Sequence, residues 1–474
     1  CEAVVAESEL WKVGQVKPGE SIQFVPISYE SAKNLKKQQN AAIESLSGDL
    51  PSLETVSLSA PENPILHQFK VSSNAPKVTY RQAGDRYILV EYGDNLLDLN
   101  LAYRIHKLDA MVKEYKPKGI FELSAGVRSV LVEYTDEITQ KEALDTLVSY
   151  EKEIIFVNKW KVSSRIIKLP MAFEDKKTLD AVKRYQETIR SEAPWLPNNV
   201  DFIANINGIT RTDVKDMLYT ARFLVLGLGD VFLGAPCAVP LDPRHRLLGT
   251  KYNPSRTFTP NGTVGIGGNY MCIYTMESPG GYQLVGRTVP IWDKLSLGEH
   301  SPNTKPWLLS PFDQIEFYPV TEEEVDAFSE QMNAGKFKVD IVESVFDHGK
   351  YLEWIQENSK SIEEFQQNQG GEKLEEFNRL IQISNSELEK LGTKVQDDEK
   401  FDDNAELVYS EYSGRFWKSV VEVGDKVTAH QPLIVVEAMK TEMVVNAPRD
   451  GKVLKIYHKN GDMVEAGDLV VVLE

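Results

Sequence analysis

Hydrophobic and polar positions alternate in different ways along the chain, and the changes predict several structural regions. Within residues 1–30, the stretch ELWKVGQVKPGESIQFVPIS alternates around a Lys-Pro-Gly turn, which predicts two strands. Residues 31–76 are mostly polar and predict a helix followed by a connector. In residues 77–199, strand-like runs such as YILVEYG and RSVLVEY are interleaved with helix-spaced leucines. This mixture predicts a small α+β unit and a connecting helix.

The composition changes three times in the next part of the chain. Residues 200–320 are dense in glycine and proline, with short apolar runs, which is typical of a β-barrel or sandwich. Residues 321–391 predict a helical segment, because charged amphipathic stretches follow two capping-box patterns, Thr321-x-x-Glu324 and Ser361-x-x-Glu364. Residues 392–406 (GTKVQDDEKFDDNAE) are acidic with few apolar anchors, which predicts a flexible linker.

Residues 407–474 contain an internal repeat. A shift of about 37 positions, the usual length of one supersecondary unit, brings identical or similar residues together and is followed in both copies by an apolar run, LIVVE or LVVVLE. The matching pairs are Gly414 with Gly451, Arg415 with Lys452, Gly424 with Gly461, Asp425 with Asp462 and Val427 with Val464. Two similar halves of alternating strands predict a flattened β-barrel with a pseudo-two-fold axis. The fold class predicted for the chain is therefore a multidomain α+β and all-β protein.

Charge and cysteine content exclude several classes of function. A net charge of -18 argues against nucleic acid as a partner. Three cysteines, none in a CxxC pair, and seven scattered histidines predict neither a disulfide framework nor a metal site. No apolar run is long enough to span a membrane, and no signal peptide is visible, so a cytoplasmic location is expected. The chain has no initiator methionine, so we expect a fragment of something longer.

A single lysine stands at the tip of a predicted hairpin in the repeat region. Lys440 lies between two apolar runs in the sequence EAMKTEM, where its amine would project from a rigid barrel. The motif resembles the biotin attachment site of biotin carboxyl carrier domains, although Thr441 stands where methionine is usual. A lipoyl domain is the nearest alternative, and Met439 favours biotin because lipoyl sites usually carry aspartate there. The resemblance implies that Lys440 forms an amide with biotin; a solvated surface lysine is the plain alternative.

The middle of the chain carries a second resemblance. The stretches FLVLGLGDVFLGAP and DPRHRLLGTKYNPSRTFTPNGTVGIGGNYMCIYTMESPGGYQLVGRT are similar to the allophanate hydrolase subunit 1, or KipI-like, family. This resemblance implies an α+β part at 77–199 and a cyclophilin-like β-barrel at 200–320. The opening residues resemble the C-terminal strands of the subunit 2, or KipA-like, family. The order of these parts, ending in a biotinyl domain at 407–474, is that of the urea carboxylase family, which in fungi is part of urea amidolyase.

This family resemblance implies a carboxyltransferase and biotin carrier that moves a carboxyl group from carboxybiotin to urea, giving allophanate. The sequence contains no GxxxxGK[ST] phosphate loop, so ATP and bicarbonate are expected to be used by a biotin carboxylase domain outside this chain. An allophanate hydrolase and a biotin protein ligase are the other implied partners. Two alternatives remain open: another acceptor such as guanidine or 5-oxoproline, or a KipI-like regulatory binding protein.

Charged residues within the resemblance are the candidates for catalysis. Urea needs acceptors for its N–H groups, and cations or backbone N–H groups that hold oxygen. The candidates are Asp230, Lys251, Arg256 and Arg287. Asp230 falls where the KipI-like family carries GFxPGFxYLG and this chain has LGLGDVFLG, so its role is the least transferable.

Glycine-rich loops and tyrosines are the candidates for the walls of the pocket. Loops of this kind allow backbone N–H groups to approach a ligand, although the same glycines could simply make tight barrel turns. The candidate pocket residues are Tyr252, Gly265, Gly267, Gly268, Tyr274, Ser278, Gly280 and Gly281. Tyr282 is predicted, with Tyr252 and Tyr274, either to pack the barrel or to line the pocket.

Overall fold

The computed structural model separates into two compact units, Cys1–Trp160 and Lys161–Glu474. Each unit is described by itself. The structure describes residues 4–17, 20–46, 63–71, 75–155, 160–229, 232–292, 306–334, 336–369, 382, 405–412, 414–438, 441–464 and 467–474.

The first unit begins with helices where the sequence predicted two strands. A 3-10 helix, η1 (Glu7–Glu9), runs into a single helical turn, α1 (Leu10–Val13), and a longer helix follows, α2 (Tyr29–Ser45). The prediction of two strands is wrong for the described residues, because a strand leaves its N–H and C=O groups unpaired unless a neighbour accepts them. The turn pairs these groups locally, as in the bond from the Gly14 N–H to the Leu10 carbonyl. The predicted helix in 31–76 is confirmed by α2, whose N-cap is Ser28.

A five-stranded antiparallel sheet forms the body of the first unit, with strand order β1-β2-β3-β5-β4. Its strands alternate buried and partly exposed residues, and its apolar face packs with two helices into one core. The elements are β1 (Ile65–Phe69), β2 (Val78–Ala83), β3 (Tyr87–Tyr92), α3 (Leu99–Tyr115), β4 (Ile120–Ala125), β5 (Ser129–Tyr134) and α4 (Gln140–Ile155). The small α+β unit is thus confirmed, and its sheet starts at β1, earlier than residue 77.

A buried carboxyl group lies inside this unit. Glu151 on α4 is fully buried, accepts a hydrogen bond of 2.8 Å from the Tyr92 hydroxyl and lies 3.3 Å from a nitrogen of Arg104 on α3. Burial raises the pKa of Glu151 to about 7, although the Tyr92 hydroxyl and the Arg104 cation act in the opposite direction.

The second unit contains a closed barrel of seven strands. The ring runs β13-β10-β11-β8-β7-β14-β6 and closes where β13 pairs with the end of β6, while an eighth strand, β15, pairs with the first part of β6 along the edge opposite β14. The ring strands are β6 (Lys161–Phe173), β7 (Arg222–Leu228), β8 (Pro236–Pro240), β10 (Thr263–Gly267), β11 (Tyr270–Ile273), β13 (Gln283–Thr288) and β14 (Gln314–Pro319). Outside it lie β9 (Arg256–Thr259) and β12 (Ser278–Gly280), which pair with each other, and β15 (Asp340–Asp347).

Along the chain, helices lie between the barrel strands and after the last of them. They are α5 (Lys176–Thr188), α6 (Asn199–Asn207), α7 (Arg211–Thr220), the 3-10 helix η2 (Pro243–His245), α8 (Glu322–Asn333), α9 (His348–Glu357) and α10 (Ser359–Gln369). The capping box predicted at Thr321 and Glu324 is confirmed at the start of α8. The second predicted box is wrong: α10 begins at Ser359, and the Ser361 hydroxyl donates to the Asn358 carbonyl from inside the first turn.

The barrel uses strands that lie outside the predicted range of 200–320. β6 precedes that range and pairs with β14, β13 and β15, and β15 lies within the segment predicted to be helical. A pattern that is local in sequence does not reveal which distant strand completes a ring, so these boundaries were missed. Most of the predicted linker, 392–404, lies outside the described residues.

The C-terminal region forms two four-stranded sheets with orders β16-β23-β21-β18 and β20-β19-β17-β22. The strands are β16 (Glu406–Tyr409), β17 (Gly414–Ser419), β18 (Lys426–Val427), β19 (Pro432–Ala438), β20 (Thr441–Asn446), β21 (Gly451–Ile456), β22 (Met463–Val464) and β23 (Leu469–Leu473). The 37-residue repeat exchanges the sheets, because β17, β18 and β19 each lie in the opposite sheet from β21, β22 and β23. Valines, leucines and isoleucines from both sheets form one core, which confirms the flattened barrel.

The helices of the described part of the chain do not include one that is both long and apolar enough to cross a membrane.

The carboxyl group of Glu151 should make the stability of the first unit depend on pH. Its pKa in the folded state, about 7, lies above the ordinary value of 4.5, so the folded state binds this proton more tightly. The contribution is therefore fully present below about pH 4.5 and is lost as pH rises towards 7, by up to about 3 kcal/mol. Hydrogen exchange of the β3 amides, corrected for intrinsic rates, should show protection falling over this range. Glu151→Gln should flatten the profile, whereas Glu153→Gln on the exposed side of α4 should not. An unchanged profile in Glu151→Gln would contradict this assignment.

Candidate functional site

The hairpin formed by β19 and β20 presents the predicted attachment site. Its register pairs Pro432 with Asn446 and Ala438 with Thr441, so Met439 and Lys440 are the two residues that connect the strands. Met439 and Lys440 themselves lie outside the described residues. The strands that lead to this connection are anchored by fully buried side chains, including Ile434 and Val436. The lysine thus belongs to a short connection on a closed, well-packed domain.

Arg256, the first residue of β9, is buried inside the packing of the second unit. Only 1% of its surface is exposed. Its guanidinium donates to the Tyr282 carbonyl at 2.7 Å, to the Thr259 hydroxyl at 3.3 Å from two nitrogens, and to the Tyr274 hydroxyl at 3.4 Å. Arg256 was predicted to contact a ligand oxygen, but in this structure its guanidinium donates to protein groups. Its direct role in catalysis stays a prediction, and its observed contacts are those of an internal brace.

Aromatic rings pack around this brace. The Arg256 guanidinium lies 4.3 Å from the centre of the Tyr252 ring, which stacks on Trp195 at 5.1 Å and meets Tyr185 edge-on at 4.7 Å. The Tyr252 hydroxyl donates to Asn199 at 2.8 Å. Burial raises the pKa of Tyr252, against the opposing effects of Arg256 and of this hydrogen bond. The phenol is therefore neutral near pH 7, while the predicted place of Tyr252 in the wall of a pocket stays a prediction.

Two of the predicted pocket glycines make room for tyrosine rings. A Cβ on Gly267 would lie 2.5 Å from two atoms of the Tyr282 ring, and one on Gly280 would lie 2.3 Å from the Tyr274 hydroxyl. Gly265 approaches the Tyr282 side chain in the same way, at 3.0 Å. These contacts explain the glycines by packing, while their predicted contact with a ligand stays a prediction.

The remaining loop residues lie at the edge of the same region. Gly268 exchanges two backbone hydrogen bonds with Gly249, at 2.6 and 2.8 Å. The Gly281 carbonyl accepts from the Tyr252 N–H at 2.6 Å, and the Ser278 hydroxyl donates to the Met276 carbonyl at 3.2 Å. Gly268 and Gly281 are partly exposed.

Lys251 is the exposed cation of this region. Its backbone lies between Thr250 and Tyr252, both bonded to the segment 281–283, and its ammonium lies 5.1 Å from the centre of the Tyr282 ring. The structure therefore brings together Lys251, Tyr252, Arg256 and the glycines around Tyr282. Tyr282, with 3% exposure, is one of three tyrosines that the sequence predicted either to pack the barrel or to line the pocket.

Arg287 is occupied by a different set of partners. On β13, with 5% exposure, it donates to the Asp175 carboxylate at 2.8 Å and to Asp326 at 2.7 Å. Burial alone would lower the pKa of Arg287, but the two carboxylates raise it. These contacts tie β13 to the start of α5 and to α8, while the predicted catalytic role of Arg287 stays a prediction. Asp230 lies outside the described residues, and no group of metal-binding side chains occurs among those described.

Comparisons with known proteins match two families to separate parts of the chain. The family described as carboxyltransferase domain, subdomain C and D, matches residues 78–301, and the family described as biotin-requiring enzyme matches residues 407–473. The urea amidolyase of Lachancea kluyveri is 66% identical over 479 residues, which cover 100% of this chain and 26% of the relative. A putative urea carboxylase of Emericella nidulans is 34% identical, covering 98% of this chain and 40% of the relative.

A crystal structure of the Kluyveromyces lactis urea carboxylase superposes with a TM-score of 0.79 at 61% identity, covering 99% of this chain and 41% of that one. A carboxyltransferase region and a biotinyl domain on one polypeptide define a biotin-dependent carboxyltransferase. Along its whole length the chain is similar to the fungal urea amidolyases and to the urea carboxylase of Kluyveromyces lactis. It spans about a quarter of the length of those urea amidolyases.

Removal of the Arg256 guanidinium should destabilise the barrel. Arg256→Met leaves the Tyr282 carbonyl and the Thr259 and Tyr274 hydroxyls short of a donor, at about 1–3 kcal/mol for each buried group left unpaired. Faster hydrogen exchange in β13 and a lower thermal midpoint should report the loss. Arg184→Met is the matched control, because exposed Arg184 stacks on Phe258 at 5.4 Å and should matter by less than about 0.5 kcal/mol. Full stability of Arg256→Met would show that the guanidinium is not a brace.

Proposed function

We propose that the chain transfers the carboxyl group carried by biotin to urea, producing allophanate. One observation carries this proposal: along its whole length the chain joins a carboxyltransferase region to a biotinyl hairpin in the order found in the urea amidolyases. Biotin, when bound to Lys440, supplies an activated carboxyl group on a long tether. The donor chemistry fits, since a lysine amine at a two-residue connection is the group from which an amide is made.

The residues around Tyr282 fit the needs of a neutral, polar acceptor. The Lys251 ammonium is an exposed cation that can hold a carboxylate or carbonyl oxygen. Asp230 is proposed to accept an N–H of urea and so to orient the nitrogen that receives the carboxyl group. The stacked rings of Tyr252 and Trp195 close the region from behind and help to exclude water.

Three partners belong to the proposal. A biotin carboxylase would use ATP and bicarbonate to load the carrier, and a biotin protein ligase would attach biotin to Lys440. An allophanate hydrolase would consume the product, as the fused relatives named urea amidolyase indicate. We propose that these reactions take place in the cytoplasm, as expected from the sequence.

Attachment of biotin can be tested by intact mass. After incubation with a biotin protein ligase, biotin and ATP, the chain should gain one biotin-sized increment, and peptide mapping should place it on Lys440. Lys440→Arg keeps the charge and should gain none, whereas the control Lys426→Arg, on an exposed lysine of β18, should be modified like the parent chain. Modification of Lys440→Arg at another lysine would refute the assignment.

The acceptor can be tested by product analysis with the biotinylated chain and a biotin carboxylase. Urea should yield allophanate, at a higher kcat/KM than guanidine or 5-oxoproline. Asp230→Ala should lower transfer to urea on the order of 10²-fold, because one positioned polar contact to the reacting group is lost, while loading of biotin continues at the parent rate. Preferential use of 5-oxoproline or guanidine would replace urea as the acceptor. Equal loss of loading and transfer in Asp230→Ala would indicate a folding defect.

A further inference from the structure

The Lys251 ammonium and the Tyr282 ring form a cation–π pair with a separation of 5.1 Å between the nitrogen and the ring centre. Lys251 is exposed, whereas Tyr282 is 3% exposed. We propose that Tyr282 is a positioning residue for carboxyl transfer, whose ring holds the Lys251 ammonium where it meets the acceptor. The inference rests on the proposed function and adds a residue that acts through another.

The backbone of Lys251 is fixed from both sides. The side-chain amide of Gln283 donates a hydrogen bond to the Thr250 carbonyl at 2.8 Å, and the backbone N–H of Tyr252 donates to the Gly281 carbonyl at 2.6 Å. Since the residues before and after Lys251 are both tied to the segment 281–283, only the side-chain torsions of the lysine remain free. A lysine side chain loses considerable conformational entropy when it is held in one orientation. A ring beside the ammonium reduces that freedom before a substrate arrives.

The Tyr282 ring is itself held in place. Gly267 has no side chain in the space that the ring occupies, as the 2.5 Å approach of a hypothetical Cβ shows. The Tyr282 carbonyl accepts the 2.7 Å hydrogen bond from buried Arg256. The brace at Arg256 is therefore connected to the exposed Lys251 through one residue, Tyr282.

Tyr282 also packs in a small apolar cluster with Cys272 and Leu284, so a purely structural role has to be distinguished. If Tyr282 is only structural, its replacement should reduce transfer by the same factor whether or not Lys251 is present. A positioning residue should matter only while the ammonium that it holds is there. A double-mutant cycle separates these two cases.

The cycle uses Lys251→Met, Tyr282→Leu and the double variant, assayed for urea-dependent transfer by the biotinylated chain with a biotin carboxylase. Lys251→Met should lower kcat/KM on the order of 10²-fold, as for a lost oxygen-binding group. Tyr282→Leu should lower it about tenfold, which reflects the lost cation–π contact. In the Lys251→Met background, Tyr282→Leu should cost less than about twofold. Tyr282→Phe keeps the ring and should lose less than Tyr282→Leu.

The matched control is Lys215→Met. Lys215 is another exposed lysine of the second unit, 6.0 Å from the Phe173 ring, so this change removes a similar pair outside the site and should leave transfer unchanged. Equal losses from Tyr282→Leu in both backgrounds, or no loss from Lys251→Met, would overturn the inference. Failure of the parent chain to carboxylate urea would instead refute the proposed function.

A second measurement needs no substrate and distinguishes the two failures. Acetic anhydride acylates amines that it can approach, and the Tyr282 ring lies beside the Lys251 amine at 5.1 Å. Loss of the ring in Tyr282→Leu should therefore increase the acylation rate of Lys251 severalfold relative to Lys215, as read by peptide mass spectrometry. Tyr282→Phe should stay closer to the parent ratio. An unchanged ratio in Tyr282→Leu, with Lys215 as internal reference, would show that the ring does not hold the lysine.

Discussion

The burial of one guanidinium organises the candidate site. Arg256 donates to the Tyr282 carbonyl, the Thr259 hydroxyl and the Tyr274 hydroxyl, and its face lies 4.3 Å from the centre of the Tyr252 ring. A cation removed from water is stable only when each of its donors finds an acceptor. The acceptors come from three separate segments, so this requirement fixes the distances between them. This arrangement also explains Gly267 and Gly280, because the tyrosine rings near the guanidinium fill the space where a side chain at these two positions would lie.

The positive charges of Arg256 and Arg287, both buried in the second unit, are compensated in different ways. Arg287 is neutralised by Asp175 and Asp326, whereas no carboxylate among the described residues pairs with Arg256. Among the described residues, the positive charge of Arg256 is thus compensated by dipoles and ring faces, which weaken with distance more steeply than a charge does. Such a site favours a negative charge nearby, and the acceptor chemistry proposed here develops one. An arginine that is paired with carboxylates, as Arg287 is, would not favour a further negative charge nearby. The charge of Arg287 instead holds neighbouring elements together.

Much of the C-terminal domain could be predicted from the sequence, because its information is local and repeated. A shift of 37 positions aligned β17 with β21 and placed the hairpin around Lys440. The barrel could be anticipated only as a class, since closure depends on β6 meeting β13 and β14 across more than a hundred residues. The roles of Arg256 and Arg287 could not be read either, because a charged residue in a strand looks the same whether it meets solvent or a buried carboxylate. The sequence left open whether Tyr282 packs the barrel or lines the pocket, because its neighbours Lys251 and Gly267 are distant in sequence.

The two lysines assigned to function impose opposite physical demands. A carrier amine gains from a long tether, because one cofactor has to reach two sites and tethering raises its effective concentration at each. A cation that holds an acceptor gains from restriction, because any orientation that it must lose on binding weakens the interaction. The structure meets the second demand at Lys251 by bonds on both sides of its backbone and a ring beside its ammonium. The demand for a long tether is met because Lys440 lies, by its place in the sequence, at a two-residue connection on a closed domain that carries its own core. Rigid packing thus serves both lysines, by confining one side chain and by presenting the other.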